Sequence, residues 1–222
     1  SSFIPKDTKS ILDVGCGIGG NTEFLLNKGY SIEALSPDNY QKSVIIKKFK
    51  NKVVFHHCKF EDFNPTTYCD LILESESACY IDINKGFRKA REVLKDDGYL
   101  LVSDYFVFYK DDSKNLHLKS SHDLSKYLKS AEKNGFDLIK EYNQTDNTML
   151  TLDYANYLVE RFVNPAIDYG VFSLRKNYPL ISRLIGKFTK KKWFEKRNQL
   201  DLINSNLFRK YRKYMIYLFK KI

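Results

Sequence analysis

The feature that most constrains this chain is Ile11-Leu-Asp-Val-Gly-Cys-Gly-Ile-Gly-Gly20, an apolar run entering Gly-x-Gly-x-Gly and then helix-forming sequence. Glycines let a backbone turn tightly out of a strand and approach a ligand where a Cβ would collide. A strand, glycine turn and helix in this order open a βα unit, and residues 10–145 keep that rhythm, the pattern of a parallel sheet. Strands are predicted near 10–14, 31–35, 53–57, 69–74 and 98–104, with helices near 20–28, 39–49, 84–95 and 122–134. Asn134-Gly135 stops the last helix, and Phe136–Tyr142 is expected to be a sixth strand.

From 148 to 212 the pattern is helical, rich in aromatics, with breaks expected at Pro165, Gly170, Pro179 and Gly186. The chain ends in Tyr214–Lys221, whose unbroken apolar core suits a strand buried on both faces; a basic amphipathic helix over 207–222 is the alternative. At 222 residues, with 43% hydrophobic, 29% charged and 15% aromatic residues, the chain can bury a full core, and disorder is excluded for most of it. Its longest apolar runs are strand-sized, too short to span a bilayer as helices. The start, Ser1-Ser-Phe-Ile-Pro5, shows no basic stretch followed by an apolar one, so no secretory leader is expected. Cys16, Cys58, Cys69 and Cys79 have neither disulfide-framework nor zinc spacing. Four reduced thiols, no metal and a cytoplasmic location are the expectation.

The net charge of +10 is local. Residues 183–222 hold 13 Lys/Arg against Glu195 and Asp201, whereas residues 1–182 hold 24 basic and 25 acidic residues. The basic centre Lys190-Lys-Lys-Trp-Phe-Glu-Lys-Arg197 fits an anionic or phosphorylated acceptor, peripheral contact with an acidic membrane, or plain solubility, which is the usual answer to a charge run.

The glycines stand at 15, 17 and 19 rather than in the dinucleotide G-x-G-x-x-G spacing, with Asp13 two residues ahead of the first. An acid there is unwelcome beside a pyrophosphate and suitable beside an ammonium or sulfonium. The run Leu12-Asp-Val-Gly-Cys-Gly resembles motif I of the class I S-adenosylmethionine-dependent methyltransferases, over roughly residues 10–145. The nearest subfamilies are the sterol, tocopherol and mycolic-acid-type enzymes and the geranyl diphosphate C-methyltransferases. The resemblance implies an α/β, Rossmann-like, doubly wound seven-stranded mostly parallel sheet with an antiparallel last strand. Residues 1–147 and 213–222 would form the cofactor domain, with 148–212 a helical acceptor-binding lid inserted before that strand. Its aromatics, among them Tyr154, Tyr157, Phe162, Tyr169 and Phe172, are read either as a wall for an apolar acceptor or as a core under the insertion.

For the cofactor S-adenosylmethionine, the resemblance implies contacts from Asp13, Gly15, Cys16, Gly17 and Gly19. The second strand ends in Ser36 where an acid is commonest, but the nearest relatives carry Thr or Asn there and Gln five residues on. Ser36 and Gln41 are therefore expected to share the ribose hydroxyls, and Glu33 to face the other side of its strand as a surface carboxylate. Cys58-Lys-Phe-Glu-Asp-Phe63 resembles a Trp-Glu pair, implying Phe60 stacked on adenine and Glu61 taking its amine, with Asp62 the competing acceptor. After the fourth strand, Glu74-Ser-Glu-Ser-Ala-Cys-Tyr-Ile-Asp82 should face the methyl group. Ser75 is assigned to the cofactor, and Glu76 and Tyr80 to catalysis. Glu76 would stabilise a carbocation, accept a proton after methyl transfer to carbon, or fix an amine or hydroxyl acceptor; a helix-terminal carboxylate is its bland alternative. Tyr80 lines the acceptor pocket or simply packs, and Asp82 is an N-cap.

Leu94-Lys-Asp-Asp-Gly98 stands where the family has a proline-containing turn. His117 and His122 read as surface residues, and His56 and His57 carry no chemistry. The favoured function is methylation of a small, largely apolar metabolite, with carbon in a prenyl-like or aromatic acceptor slightly preferred over nitrogen or oxygen. Nucleic-acid methylation would need an Asn/Asp-Pro-Pro-Tyr/Phe run that is absent; a non-catalytic cofactor-binding subunit is the third reading. Because only ten residues precede Ile11, a further helical segment closing over the cofactor is expected upstream in the natural protein.

Overall fold

The computed structural model describes residues 2–108, 121–179, 182 and 205–222. Its first unit, Ser1–Asn143 with Lys213–Ile222, is built on β1 (Ser10–Val14), α1 (Gly20–Asn27), β2 (Ser31–Leu35), α2 (Asn39–Phe49), β3 (Val54–His56), β4 (Cys69–Ser75), α3 (Ile83–Val93) and β5 (Leu94–Val107). A two-residue β6 (His122–Asp123), α4 (Leu124–Lys133), β7 (Phe136–Asn143) and β8 (Arg212–Lys221) complete it. The sheet order is β3-β2-β1-β4-β5-β8-β7, with β6 added beside β5. β1 pairs in parallel with β2 and β4, β4 with β5, and β7 runs antiparallel to β8. This is the expected α/β sheet; the short β6 alone was not foreseen.

The boundaries follow local chemistry. Asp38, Asp82 and Asp123 each accept a hydrogen bond from the backbone N–H three residues on, at 2.8, 2.9 and 3.0 Å, so α2, α3 and α4 start where a short acid caps them. β1 and β4 are apolar because both faces are covered: Ile11, Leu12, Val14, Leu71 and Ile72 are all 2% exposed or less. On one side the core closes with an aromatic cluster in which Phe87 of α3 meets Tyr127, Phe136 and Phe219 at ring separations of 4.8, 5.7 and 5.9 Å. Each such ring is worth roughly 1.5–3 kcal/mol in water-excluded area.

Two expectations change and one alternative is decided. The turn at Leu94–Gly98 is absorbed into β5 as a bulge, where the β4–β5 register jumps from Cys69 opposite Leu94 to Leu71 opposite Tyr99. Lys220 closes on its Asp97 at 2.8 Å, a tie that does without the proline. At the C-terminus the strand reading holds and the helix over 207–222 does not form: a short helix α7 (Ser205–Tyr211) ends where β8 begins. In the second unit, Gln144–Arg212, Pro165 and Gly170 do not break the helix: α5 (Thr145–Leu158) runs through a π-turn at Val159–Val163 into α6 (Asn164–Asn177). Pro165 sits in the first turn of α6, where its missing N–H is tolerated. Gly186 and the basic centre Lys190–Arg197 lie outside the described residues.

Candidate functional site

The turns leaving β1, β2 and β4 meet at the carboxyl edge of the sheet, where ligands bind in open α/β folds. Gly15 and Cys16 donate to the Leu35 carbonyl of β2 at 2.8 and 3.3 Å, locking the first turn against the second. Ser77 locks it against the third: its hydroxyl donates to the Val14 carbonyl at 2.6 Å. A Cβ on Gly15 would lie 2.4 Å from that of Ser77, and one on Gly19 would lie 2.5 Å from the Phe49 ring of α2. These two glycines are therefore required by close packing of the protein on itself. Gly17, with φ 55°, is different: a Cβ there meets nothing within 4 Å and projects into open space.

Asp13 is corrected in its role. Its carboxylate is 1% exposed and accepts the Thr22 hydroxyl at 2.6 Å, so it fastens α1 to β1 instead of facing a ligand. Burial raises its pKa to about 6, opposed by the Thr22 bonds. The Cys16 side chain is also turned inward, packed with Ala34, Ile45, Phe49 and Val53, and burial with the nearby Asp13 charge pushes its thiol up to about 12. Cys16 can offer a ligand only its backbone.

Ser36 and Gln41 are brought together. The buried Ser36 hydroxyl donates to Gln41 Oε1 at 2.7 Å and accepts the Asp38 N–H at 3.2 Å, leaving the Gln41 amide nitrogen as the free end of the pair. Glu33 does face away, but it is half-buried and paired with His56 of β3, so neither is an idle surface group.

After β3 the assignment shifts. Phe60 is 2% exposed inside the main core, with Leu12, Leu35 and Phe63 around it, and has no face to give an adenine. Glu61 accepts the Asp82 N–H through Oε1 at 3.1 Å, spanning to the start of α3, whereas Asp62 is exposed. The more buried acid bonds to the protein and its neighbour is the one left to solvent.

The β4 edge is strongly acidic. Glu74 is 3% exposed, and burial, reinforced by Asp104 and Glu61, raises its pKa to about 8. Asp104 of β5, not singled out by sequence, is 1% exposed and accepts the Cys79 and Tyr105 N–H groups at 2.9 and 2.8 Å. Burial raises its pKa as well. Ser75 ends β4 half-buried beside Glu76.

Glu76 itself is exposed and holds φ 55°, a left-handed backbone uncommon for a residue with a Cβ. It is not the terminal carboxylate of α3, which begins seven residues later under its own cap, Asp82. Its N–H donates to the Ser103 carbonyl at 2.8 Å, and its Oε1 accepts the hydroxyl of Tyr214, on β8, at 2.8 Å. Tyr80 is 76% exposed, which removes the packing alternative. His122 is not a surface residue: its half-buried ring faces the Ala78 and Ile81 carbonyls at 2.8 and 2.9 Å, so Nε2 carries a proton and staples the loop after β4. His117 lies outside the described residues. Tyr154, Tyr157, Phe162, Tyr169 and Phe172 of the second unit are all exposed, so among the described residues of that unit they form no core. Among the described residues no cluster of three His, Cys, Asp or Glu is placed to hold a metal, and no helix is long and apolar enough to cross a membrane.

The family model described as a methyltransferase domain matches residues 2–150. A search of curated proteins finds no match. Among solved structures, a cyclopropane synthase of Mycobacterium tuberculosis is 14% identical, with TM-score 0.70 over 96% of this chain and 78% of its own. The geranyl diphosphate C-methyltransferase of Streptomyces coelicolor, crystallised with Mg2+, geranyl diphosphate and S-adenosyl-L-homocysteine, is 16% identical, with TM-score 0.69 over 96% of this chain and 74% of its own. A phosphoethanolamine N-methyltransferase of Haemonchus contortus, crystallised with S-adenosyl-L-methionine, is 17% identical, with TM-score 0.68 over 99% of this chain and 50% of its own. At these identities the structural likeness is one of fold, and the family follows from the model that spans two thirds of the chain: this protein belongs to the class I S-adenosylmethionine-dependent methyltransferases.

Proposed function

We propose that the protein binds S-adenosylmethionine across the carboxyl edge of β1, β2 and β4 and methylates a small-molecule acceptor held in front of Glu76. The observation that carries this reading is the convergence, at one sheet edge, of the open glycine turn, the Ser36–Gln41 pair and a left-handed Glu76. The cofactor, when bound, supplies a methyl group on a positively charged sulfur. The rest is done by the chain. Gly17 leaves the space that the cofactor occupies, Gly15 and Gly19 hold the turn in shape, and the Gln41 amide donates to a ribose oxygen. Asp62, rather than Glu61, accepts the adenine amine, with Phe60 supporting the loop from below. Ser75 sets the end of β4, from which the Glu76 carboxylate meets the acceptor.

A carboxylate in that place stabilises positive charge arising on the acceptor, or takes the proton that leaves carbon once it is methylated. Tyr80, exposed in the following turn, gives the acceptor a ring to lie against. The similarity of Glu76-Ser-Ala-Cys-Tyr-Ile-Asp82 to the geranyl diphosphate enzymes favours a prenyl-like or aromatic carbon acceptor, with small amines and hydroxyls as the alternative. The exposed carboxylate of Glu76 at this edge disfavours a nucleic-acid phosphate backbone. Titration calorimetry with S-adenosylmethionine, followed by methyl-label transfer to panels of prenyl diphosphates, phenols and amines, tests the reading. Micromolar cofactor binding with label on one of these classes is expected; absence of cofactor binding would overturn it.

A further inference from the structure

We infer that Tyr214 is a positioning residue for methyl transfer: its hydroxyl fixes one oxygen of the Glu76 carboxylate so that the other is presented to the reacting centre. The inference rests on the role of Glu76 in the proposed function and extends it to a residue 138 positions away. Three observations carry it. The Tyr214 Oη donates to Glu76 Oε1 at 2.8 Å, which leaves Oε2 outside that bond. The Glu76 backbone is left-handed, a conformation that persists only where surrounding structure over-determines it, and its N–H is tied to the Ser103 carbonyl at 2.8 Å. Tyr214 is only 8% exposed on a strand buried on both faces, so the donor is held while the acceptor carboxylate is not.

An exposed glutamate left to itself samples several rotamers, and a carboxylate that must act as charge develops gains from having that freedom removed beforehand. The groups facing the pair are Ser103 and Asp104 from β5 and Cys79 from the turn after β4. Burial and the Glu76 carboxylate both raise the Tyr214 pKa well above its ordinary value, so the phenol keeps its proton and remains a donor at any working pH.

The test needs no acceptor. Sinefungin carries a charged amine where S-adenosylmethionine carries its methyl, and S-adenosylhomocysteine carries nothing there. The ratio of their dissociation constants therefore reports a carboxylate aimed at the reacting position. Wild type should prefer sinefungin, Glu76→Gln should erase the preference, and Tyr214→Phe should cut it about 3- to 10-fold with S-adenosylhomocysteine affinity unchanged. Tyr214→His, which retains a donor, should recover part of it. If wild type binds neither probe, the cofactor site itself is wrong. If Glu76→Gln keeps the preference, Glu76 is not aimed at the centre and the positioning role goes with it. If Glu76→Gln erases the preference and Tyr214→Phe leaves it intact, the reading of Glu76 stands and the inference about Tyr214 is overturned. Equal loss of both ligands in Tyr214→Phe would assign the residue to packing and overturn it as well.

Discussion

The two halves of the sheet edge are built on different principles. Around β1 and β2 the site is made of small residues, and its side-chain pairs are close in sequence: Ser36 with Gln41, and beneath them Asp13 with Thr22. Around β4 it is made of carboxylates collected from far apart, Cys79 with Asp104 and Glu76 with Tyr214. The buried acids show the contrast. Asp13, given a hydroxyl partner, rises only to about 6, whereas Glu74, with Asp104 and Glu61 for neighbours, rises to about 8. A half that only holds a cofactor can be built from backbone and neutral groups, while a half that answers developing charge keeps acids in places where folding disfavours them.

The contrast breaks most visibly at Glu76. Replacing it by glutamine should lower turnover about 10²–10³-fold while S-adenosylmethionine affinity changes little, because the carboxylate matters chiefly when charge develops. Steady-state kinetics with the acceptor found by the panel, beside calorimetry, decides this; unchanged turnover would make the second half as passive as the first.

Glu74 gives the next largest effect. The folded state holds its proton up to about pH 8, whereas an unfolded chain releases it near 4.5. The associated stability is therefore full below the lower value and is lost as pH rises through the higher one. A loss on the order of 3 kcal/mol between about pH 5 and pH 9 is expected in urea unfolding. Glu74→Gln should flatten the profile. A wild type equally stable at both pH values would show that the acid is not buried as described.

The glycines divide the first half itself. Gly17→Val should weaken S-adenosylmethionine binding by about 30- to 100-fold, since its side chain enters the cofactor's space, while the fold bears only the backbone strain of about 1–2 kcal/mol. Gly15→Ala should do the reverse, because its Cβ collides with Ser77; there the loss belongs in the thermal midpoint first. Wild-type affinity in Gly17→Val would remove the glycine turn from the cofactor site.

The smallest effect separates two adjacent acids. Asp62→Ala should weaken S-adenosylmethionine binding about tenfold and Glu61→Ala about twofold or less, as one loses a ligand contact and the other a bond to Asp82. Calorimetry showing the opposite order would return the adenine to Glu61.

The sequence by itself determined the order of strands and helices, the cap Asp82, the glycine turn and the Ser36–Gln41 pair. All of these depend on neighbours a few residues apart, where spacing translates directly into geometry. What lay beyond it were the contacts made by distant elements. Asp13 reads as a ligand group until Thr22 is seen to take its carboxylate, and Phe60 reads as an adenine platform until the core is seen to close around it. Tyr214, one of 16 tyrosines, carries no local mark of its partner. Only the insertion of β8 between β5 and β7 brings its hydroxyl to Glu76, because which buried side chain meets which edge residue is set by strand order and register, and these are properties of the whole sheet.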